Sequence, residues 1–115
     1  MICRGDVAWA DLVPRSGSEQ HGRRPVIIVS HDGFNRTPNW QSVIVVPLST
    51  SPKAMKGPTS IPLPAGTGGL KKSSFALCHQ ITTLDRSKIT EKMGELDPGD
   101  LRRVENGIKA AIDIA

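Results

Sequence analysis

Two chemically capable features of the chain lie at the ends of its two most apolar segments. Arg24 comes directly before PVIIVS (25–30) and follows Arg23 and a glycine-containing stretch. A guanidinium at a strand edge beside a loop can hold a phosphate through two hydrogen bonds and stabilise charge developing on it. Arg24 is therefore a candidate phosphate-binding residue, with a solvated arginine flanking a strand as the alternative.

Hydroxyl groups end the second apolar run, SVIVVPLS (42–49), where Ser49 is followed by Thr50. If the two apolar runs pair as strands, a hydroxyl comes to lie beside the edge that carries Arg24. Hydroxyls at strand ends also commonly hydrogen-bond a turn. Both interpretations of Ser49 and Thr50 stay open on the sequence alone.

The three histidines, at positions 21, 31 and 79, are scattered and lack the spacing of a metal site. We therefore expect no metal and no cofactor. His79 follows Cys78 in an apolar run. A histidine with a pKa of about 6.5 can act as acid or base at neutral pH, and a hydrogen-bonded structural histidine is the competing interpretation.

Aromatic, amide and cationic side chains are mixed in the loop at 31–41, which contains Asn35, Arg36 and Trp40. Side chains of these types can stack on unpaired bases and form hydrogen bonds to their edges. Packing of Trp40 in the core or in a dimer is the alternative. Trp9 is expected to face the core, and the pair Lys71 and Lys72 either contacts phosphate or solvates a turn.

The composition is that of a single small basic domain spanning 1–115. The chain has 115 residues and a net charge of +4, with a mass of 12.4 kDa and a pI near 9.4. Residues 1–89 carry +6 and residues 90–115 carry −2, so the first part would attract a polyanion such as RNA or DNA. No phosphate-binding loop, GxSxG or HExxH motif occurs.

Neither a signal peptide nor a membrane span is predicted, because the apolar runs are far shorter than the roughly 20 residues that a span needs. We expect a cytoplasmic protein. Cys3 and Cys78 are then expected to be buried, reduced thiols.

Short strands come first and one helix comes last. Alternating or β-branched runs predict strands at 5–12, 25–30, 42–49, 59–64 and 73–81, and a further short strand near 88–91. Pro62 favours an edge position for its strand. Asp97 is a candidate N-cap with Pro98 at the first helical position. Apolar residues at spacings of three and four between Leu101 and Ala115 predict an amphipathic helix of about four turns. The segment 14–23 is expected to be a mobile loop. The fold class is α+β, mainly β.

Four segments, taken together, resemble one family. RGDVAWADL (4–12), GRRPVIIVS (22–30), VIVVPLST (43–50) and LKKSSFALCHQITTLDRSKIT (70–90) occur in the order and spacing of the MazF/PemK (Kid) toxins of toxin–antitoxin modules. The resemblance implies a small SH3-like antiparallel β-barrel of the CcdB/PemK type with a C-terminal helix. It also implies a homodimeric, metal-independent endoribonuclease that cuts single-stranded RNA at short sequences, leaving a 2′,3′-cyclic phosphate and a 5′-hydroxyl.

The resemblance also implies roles for particular residues. Arg24 matches the family's arginine, and Ser49, with Thr50 adjacent, matches its hydroxyl residue. His79 stands where many relatives have Asp, so it is expected to be the acid or base, an RNA contact or a bystander. An antitoxin tail would compete with RNA for the basic surface. The expected RNA-binding residues are Arg23, His21, Asn35, Arg36, Trp40, Lys53, Lys56, Lys71 and Lys72.

Two other classes of function compete with the ribonuclease. One is a protein-binding poison of gyrase, like CcdB, which needs no arginine and hydroxyl pair. The other is a noncatalytic nucleic-acid-binding barrel. The presence of Arg24 together with Ser49 and Thr50 favours the ribonuclease, while the cleavage sequence depends on the loops around 31–41 and 49–58.

Overall fold

The computed structural model describes residues 2–12, 22–54 and 57–115. Its elements are seven strands and two α-helices, joined in places by single turns of 3₁₀-helix. In chain order they are β1 (Asp6–Leu12), β2 (Gly22–Ile28), α1 (Asp32–Asn35), β3 (Ser42–Ser49), β4 (Ser60–Leu63), β5 (Ser74–Leu77), β6 (Thr82–Asp85), β7 (Ile89–Glu95) and α2 (Pro98–Ala111).

The strands form one antiparallel sheet in the order β4-β5-β3-β2-β1-β7. β3 is its central strand. Its first four residues pair with β6 and its last two with β5, while Val45, Val46 and Pro47 pair with β2. No ladder joins the outer strands β4 and β7 within the described ranges. The predicted α+β, mainly β class is confirmed, and the barrel is open along this side.

Alternation along the strands covers both faces of the sheet with apolar side chains. Val7 on β1 belongs to a first core layer beneath α2, and Ala10 on the same strand belongs to a second layer. The first layer consists of Val7, Ile27, Val46, Leu48, Leu63, Leu70, Ala76, Cys78, Leu96 and Val104. The second consists of Ala10, Leu12, Val26, Ile28, Val43 and Val45. The strand β1 is therefore covered by apolar side chains on both of its faces.

The helix α2 begins where the sequence predicts. The carboxylate of Asp97 accepts a hydrogen bond from the backbone N–H of Asp100 at 2.7 Å, and Pro98 occupies the first turn. The helix has 14 residues and ends at Ala111, which agrees with the expected four turns. Ile112, a later position of the apolar repeat, lies beyond the helix with about half of its surface exposed. The apolar repeat continues past the point where the sheet offers a surface to pack against.

Strand boundaries differ from the expectations at four places. β7 extends to Glu95, beyond the short strand expected near 88–91. β2 begins at Gly22 and so includes Arg23 and Arg24. β5 ends at Leu77 and is followed by a 3₁₀ turn over Cys78–Gln80. The short strand β6 was not predicted at all, because its four half-buried and exposed residues give no clear apolar alternation. Pro62 lies on the edge strand β4, as predicted.

Both cysteines are free thiols, and only Cys78 is fully buried, since Cys3 lies half-buried in the first turn. Burial raises the pKa of the Cys78 thiol to about 11. The predicted mobile loop at 14–23 falls outside the described residues except for Gly22 and Arg23, which belong to β2.

Candidate functional site

A cleft of about 250 Å³, called the basic groove here, lies at the start of β2, beside the point where the chain leaves β3. It is lined by residues from five separate parts of the sequence. These are Trp9, Arg23, Arg24, Pro25, Thr50, Leu70, Lys71, Lys72, Ser74 and Met93. Five of the predicted catalytic or RNA-binding residues therefore line one cleft. They are Arg23, Arg24, Thr50, Lys71 and Lys72.

Arg24 lies on β2 opposite Ala10 of β1 and is exposed. Its neighbour Arg23 lies opposite Asp11. Because successive side chains of a strand point to opposite faces, Arg23 and Arg24 project to different sides of β2 at the groove. The guanidinium groups of Arg23 and Arg24 therefore leave the strand in different directions.

The two candidate hydroxyls have different surroundings. Thr50 is exposed and lines the basic groove. Ser49 ends β3, is only 8% exposed, and its Oγ accepts a hydrogen bond from the backbone N–H of Ser51 at 3.2 Å. Its own hydroxyl proton is left to donate. Continuing the register of Val26 with Pro47 by two residues would set Ser49 across from Arg24, although the ladder itself ends at Val26.

A glycine turn brings the two lysines to the groove. Gly69 has a φ of +82°, and a Cβ there would lie 2.4 Å from the carbonyl oxygen of Met93. Only glycine allows the turn at 67–69 to cross β7 so closely. As a result Leu70 is buried against the first core layer, while Lys71 and Lys72 emerge exposed beside Met93.

Trp9 was expected to face the core, and this is wrong. Its ring is only half-buried and lines the groove, with the guanidinium carbon of Arg23 at 4.4 Å from the ring centroid. Arg23 also forms an ion pair with Glu91 of β7 at 3.2 Å. Trp9 pairs with Pro25, the residue that follows Arg24, and this pairing would have placed Trp9 at the groove. The pairing depends on the register of β1 with β2, which the sequence alone does not give.

His79 lies outside the basic groove. It occupies the 3₁₀ turn that follows β5, is exposed, and its Nδ1 lies 3.1 Å from the hydroxyl oxygen of Thr59. Ser74, at the other end of β5, lines the groove. His79 is not among the residues that line the groove together with Arg24.

Asn35 was predicted to contact RNA, and the structure contradicts this. The residue is buried, and its amide is occupied at both ends. The Oδ1 accepts from the Ser30 hydroxyl at 2.6 Å, and the Nδ2 donates to the Ser30 carbonyl at 2.9 Å and to Asp32 at 3.1 Å. Hydrogen bonds from the Arg4 backbone N–H and from Asn35 lower the pKa of Asp32. Asn35 thus holds the loop instead of reading a base.

The other residues of this loop form an exposed platform. The rings of Phe34 and Trp40 stack with centroids 4.9 Å apart, and 48% and 43% of their surfaces are exposed. Arg36 is exposed and lies 3.7 Å from Asp32. The platform adjoins the start of β3, whereas the groove adjoins its end, so seven residues of strand, or about 23 Å, separate the two.

The remaining predicted contacts lie near the groove or outside the described residues. Lys53 is exposed in the 3₁₀ turn that follows Thr50. His21 and Lys56 fall outside the described residues. In the described part of the chain, no three His, Cys, Asp or Glu side chains cluster in a way that could hold a metal ion. No helix among the residues described has the length and apolar character needed to cross a membrane.

Comparison with known proteins identifies the family. The model of the PemK-like, MazF-like toxins of type II toxin–antitoxin systems matches residues 3–112. The chain is 33% identical over 112 residues to endoribonuclease EndoA of Bacillus subtilis, covering 97% of this chain and 95% of EndoA. It is 30% identical over 114 residues to endoribonuclease MazF6 of Mycobacterium tuberculosis, covering 99% of each.

Solved structures show the same fold. MazF from Deinococcus radiodurans superposes with a TM-score of 0.77 at 26% identity, covering 96% of this chain and 94% of that one. The MazE–MazF complex of the same organism gives a TM-score of 0.73 at 25% identity, covering 97% and 96%. The chain belongs to the PemK-like, MazF-like toxin family of type II toxin–antitoxin systems, which confirms the resemblance drawn from its sequence.

Proposed function

We propose that this chain is a metal-independent endoribonuclease that cleaves single-stranded RNA at a short sequence, leaving a 2′,3′-cyclic phosphate and a 5′-hydroxyl. The observation that carries the proposal is the basic groove, in which Arg24, a neighbouring hydroxyl and three further cations line one cleft. The relatives named endoribonuclease, at 30% and 33% identity over nearly the whole chain, support it.

The reaction needs positioning and charge stabilisation. The RNA 2′-hydroxyl attacks its own 3′ phosphorus, a 2′ O–P bond forms, and the P–O5′ bond breaks in line with it. The 2′-hydroxyl loses its proton to a base, and the leaving 5′ oxygen takes one up. Arg24 stays protonated, so it stabilises the negative charge of the pentacoordinate phosphate instead of accepting the proton.

The hydroxyls and the other cations hold the strand in the groove. Ser49, whose hydroxyl has a proton to donate, orients the scissile phosphate beside Arg24, and Thr50 contacts the RNA on the exposed wall. Lys71 and Lys72 bind neighbouring phosphates. His79 lies apart from these residues, so we place it at the RNA outside the scissile nucleotide or in the structure of its turn, where Thr59 is its partner.

Partners follow from the family and the charge of the groove. The complex of MazF with MazE in D. radiodurans supports an antitoxin for this chain. An acidic and apolar antitoxin segment would occupy the basic groove and exclude RNA from it. We also propose a homodimer, in which Trp40, Arg36 and Lys53 bind RNA or line the contact between protomers, and a cytoplasmic location.

Incubation of the purified protein with a long single-stranded RNA in EDTA tests the activity. We expect cleavage with cyclic-phosphate ends. Arg24→Ala is expected to lower the rate by about 10²–10³, as removal of one charge-stabilising donor commonly does. Arg24→Lys is expected to recover little, because an ammonium lacks the two-pronged geometry of a guanidinium.

Arg102→Ala is the matched control, since it removes the same charge from an exposed position on α2. Intact RNA at high protein concentration would reject the ribonuclease and favour a protein-binding poison of gyrase or a noncatalytic RNA-binding protein. Supercoiling by gyrase in the presence of the protein distinguishes those two.

A further inference from the structure

The basic groove contains an apolar side that phosphate binding does not use. Trp9, Pro25, Leu70 and Met93 line it together with the four cations. Trp9 is half-buried, and exposing part of a tryptophan ring to water costs free energy that packing in the core would recover. Flat apolar surface next to a phosphate-binding arginine is what an unpaired nucleobase requires.

Arg23 lies over the Trp9 ring. Its guanidinium carbon lies 4.4 Å from the ring centroid, and its Nη2 lies 3.2 Å from a carboxylate oxygen of Glu91. These two contacts place the guanidinium over the indole. Bases stack on aromatic rings and on guanidinium planes alike, so the pair offers a stacking surface to RNA.

Side-chain alternation along β2 gives neighbouring residues different surroundings. Arg24 and Arg23 are consecutive on the strand and point to opposite sides. In the proposed function Arg24 binds the phosphate on one side, and Arg23 with Trp9 faces the apolar side of the groove. The phosphate and the base of a single nucleotide also lie on different sides of its sugar, so one nucleotide can engage both arginines at once.

We propose that Trp9 and Arg23 form a base-binding subsite that holds an unpaired nucleobase next to the scissile phosphate and sets the base preference at that position. The inference rests on the proposed ribonuclease, because it assigns part of the cleavage sequence to this pair. Trp9 is a specificity-determining residue in this account, and Glu91 positions it through Arg23.

Mapping of cleavage ends tests the subsite. A mixed pool of long single-stranded transcripts is digested by the wild type, Trp9→Phe and Trp9→Leu, and the 5′-hydroxyl ends are sequenced. We expect Trp9→Leu to lower the rate about tenfold and to flatten the base frequencies at one position beside the cut, with the other positions unchanged. Trp9→Phe retains a ring and is expected to keep the wild-type preference.

Phe75→Leu is the matched control, because Phe75 is a half-buried ring that does not line the basic groove. It should keep both the rate and the cleavage sequence. Thermal unfolding verifies that each variant is folded. A folded Trp9→Leu protein with the base frequencies and rate of the wild type would overturn the subsite.

A binding measurement separates failure of the subsite from failure of the ribonuclease. In a Trp40→Phe background Trp9 is the sole tryptophan of the chain. A random pool of 2′-O-methyl oligoribonucleotides has no free 2′-hydroxyl to attack and cannot be cleaved. We expect its binding to quench the Trp9 emission. If the wild type leaves RNA intact, the proposed function fails and this measurement alone decides the subsite: unchanged emission at saturating oligonucleotide overturns it.

Discussion

At the scale of single residues, the proposed mechanism depends on Arg24 and on the hydroxyls of Ser49 and Thr50. Thr50 is exposed on the wall of the basic groove, whereas Ser49 is 8% exposed and accepts a hydrogen bond from Ser51. A buried hydroxyl whose oxygen is already engaged has one direction left for its proton. We therefore propose Ser49 as the oriented hydrogen-bond donor to the phosphate and Thr50 as a contact on the exposed wall of the groove.

Replacing Ser49 by Ala is therefore expected to lower the rate of RNA cleavage about 10–100-fold. A hydrogen bond to a charged group contributes about 1.5–3 kcal/mol, and each 1.4 kcal/mol is about tenfold. Ser49→Thr retains the hydroxyl and should cleave near the wild-type rate. Single-turnover cleavage of a defined RNA measures the effect.

Thr50→Ala is the comparison for Ser49, with an expected loss below tenfold that falls mainly on RNA affinity. A larger loss in Thr50→Ala than in Ser49→Ala would contradict this assignment and give the phosphate-orienting role to Thr50. Direct binding to a 2′-O-methyl oligonucleotide separates affinity from the chemical step.

At the scale of elements, the packing of α2 depends on one glycine. Gly107 lies inside the helix, where glycine costs about 1 kcal/mol relative to alanine. A Cβ there would lie 2.7 Å from the Sγ of Cys78 and 2.9 Å from a side-chain carbon of Ile61. The glycine therefore lets the helix approach the 3₁₀ turn after β5 and the edge strand β4, and the close contact recovers what the helix loses.

We expect Gly107→Ala to lower the free energy of unfolding by about 1–3 kcal/mol, the usual cost of overpacking a filled core. Urea unfolding followed by circular dichroism measures it. Asn106→Ala, at the exposed neighbouring position of the same helix, is expected to be neutral or slightly stabilising because alanine favours helix. Gly107→Ala would speak against this account if it raised the unfolding midpoint as Asn106→Ala does.

A second element-scale feature explains why lysines reach the groove. The turn at 67–69 crosses β7 so closely that Gly69 cannot carry a side chain. After this crossing, Leu70 lies in the core and Lys71 is exposed at the groove. The lysine pair therefore lies at the groove because Gly69 packs against the backbone of Met93, a residue distant in sequence.

At the scale of the whole molecule, charge and the two ends of β3 organise the surface. Residues 1–89 carry a net charge of +6, and four of their arginines and lysines line the basic groove. The acidic excess of residues 90–115 is associated with β7 and α2, where Glu105 lies 2.7 Å from Arg4. The aromatic platform of Phe34 and Trp40 adjoins the other end of β3, so the protein presents two distinct surfaces.

The groove cations predict a measurable salt dependence of RNA binding. Each phosphate contact to single-stranded nucleic acid contributes about −0.7 to the slope of log affinity against log salt. The double variant Lys71→Gln/Lys72→Gln should therefore reduce the slope by about 1.4 and weaken binding to all sequences alike. Titration of an uncleavable RNA at several salt concentrations measures the slope.

Lys109→Gln is the control for this experiment, because Lys109 is exposed on α2 outside the groove. The slope of log affinity against log salt should be the same in Lys109→Gln as in the wild type. An unchanged slope in the double lysine variant would show that Lys71 and Lys72 only solvate their turn, which was the alternative raised by the sequence.

The sequence by itself determined the local elements and the chemistry of the strand ends. The extent of β3 follows from its apolar residues, the start of α2 from Asp97 and Pro98, and the edge position of β4 from Pro62, because each depends on neighbours in the chain. The order of four short segments was enough to identify the family.

Only the tertiary structure decided which of the chemically capable residues meet. Asn35 and His79 have the residue types of RNA contacts, yet one is buried under Ser30 and Asp32 and the other lies on Thr59. Trp9 is half-exposed because the register of β1 with β2 places Arg23 over it. These outcomes depend on segments that are distant in the chain and adjacent in space, so local patterns do not contain them.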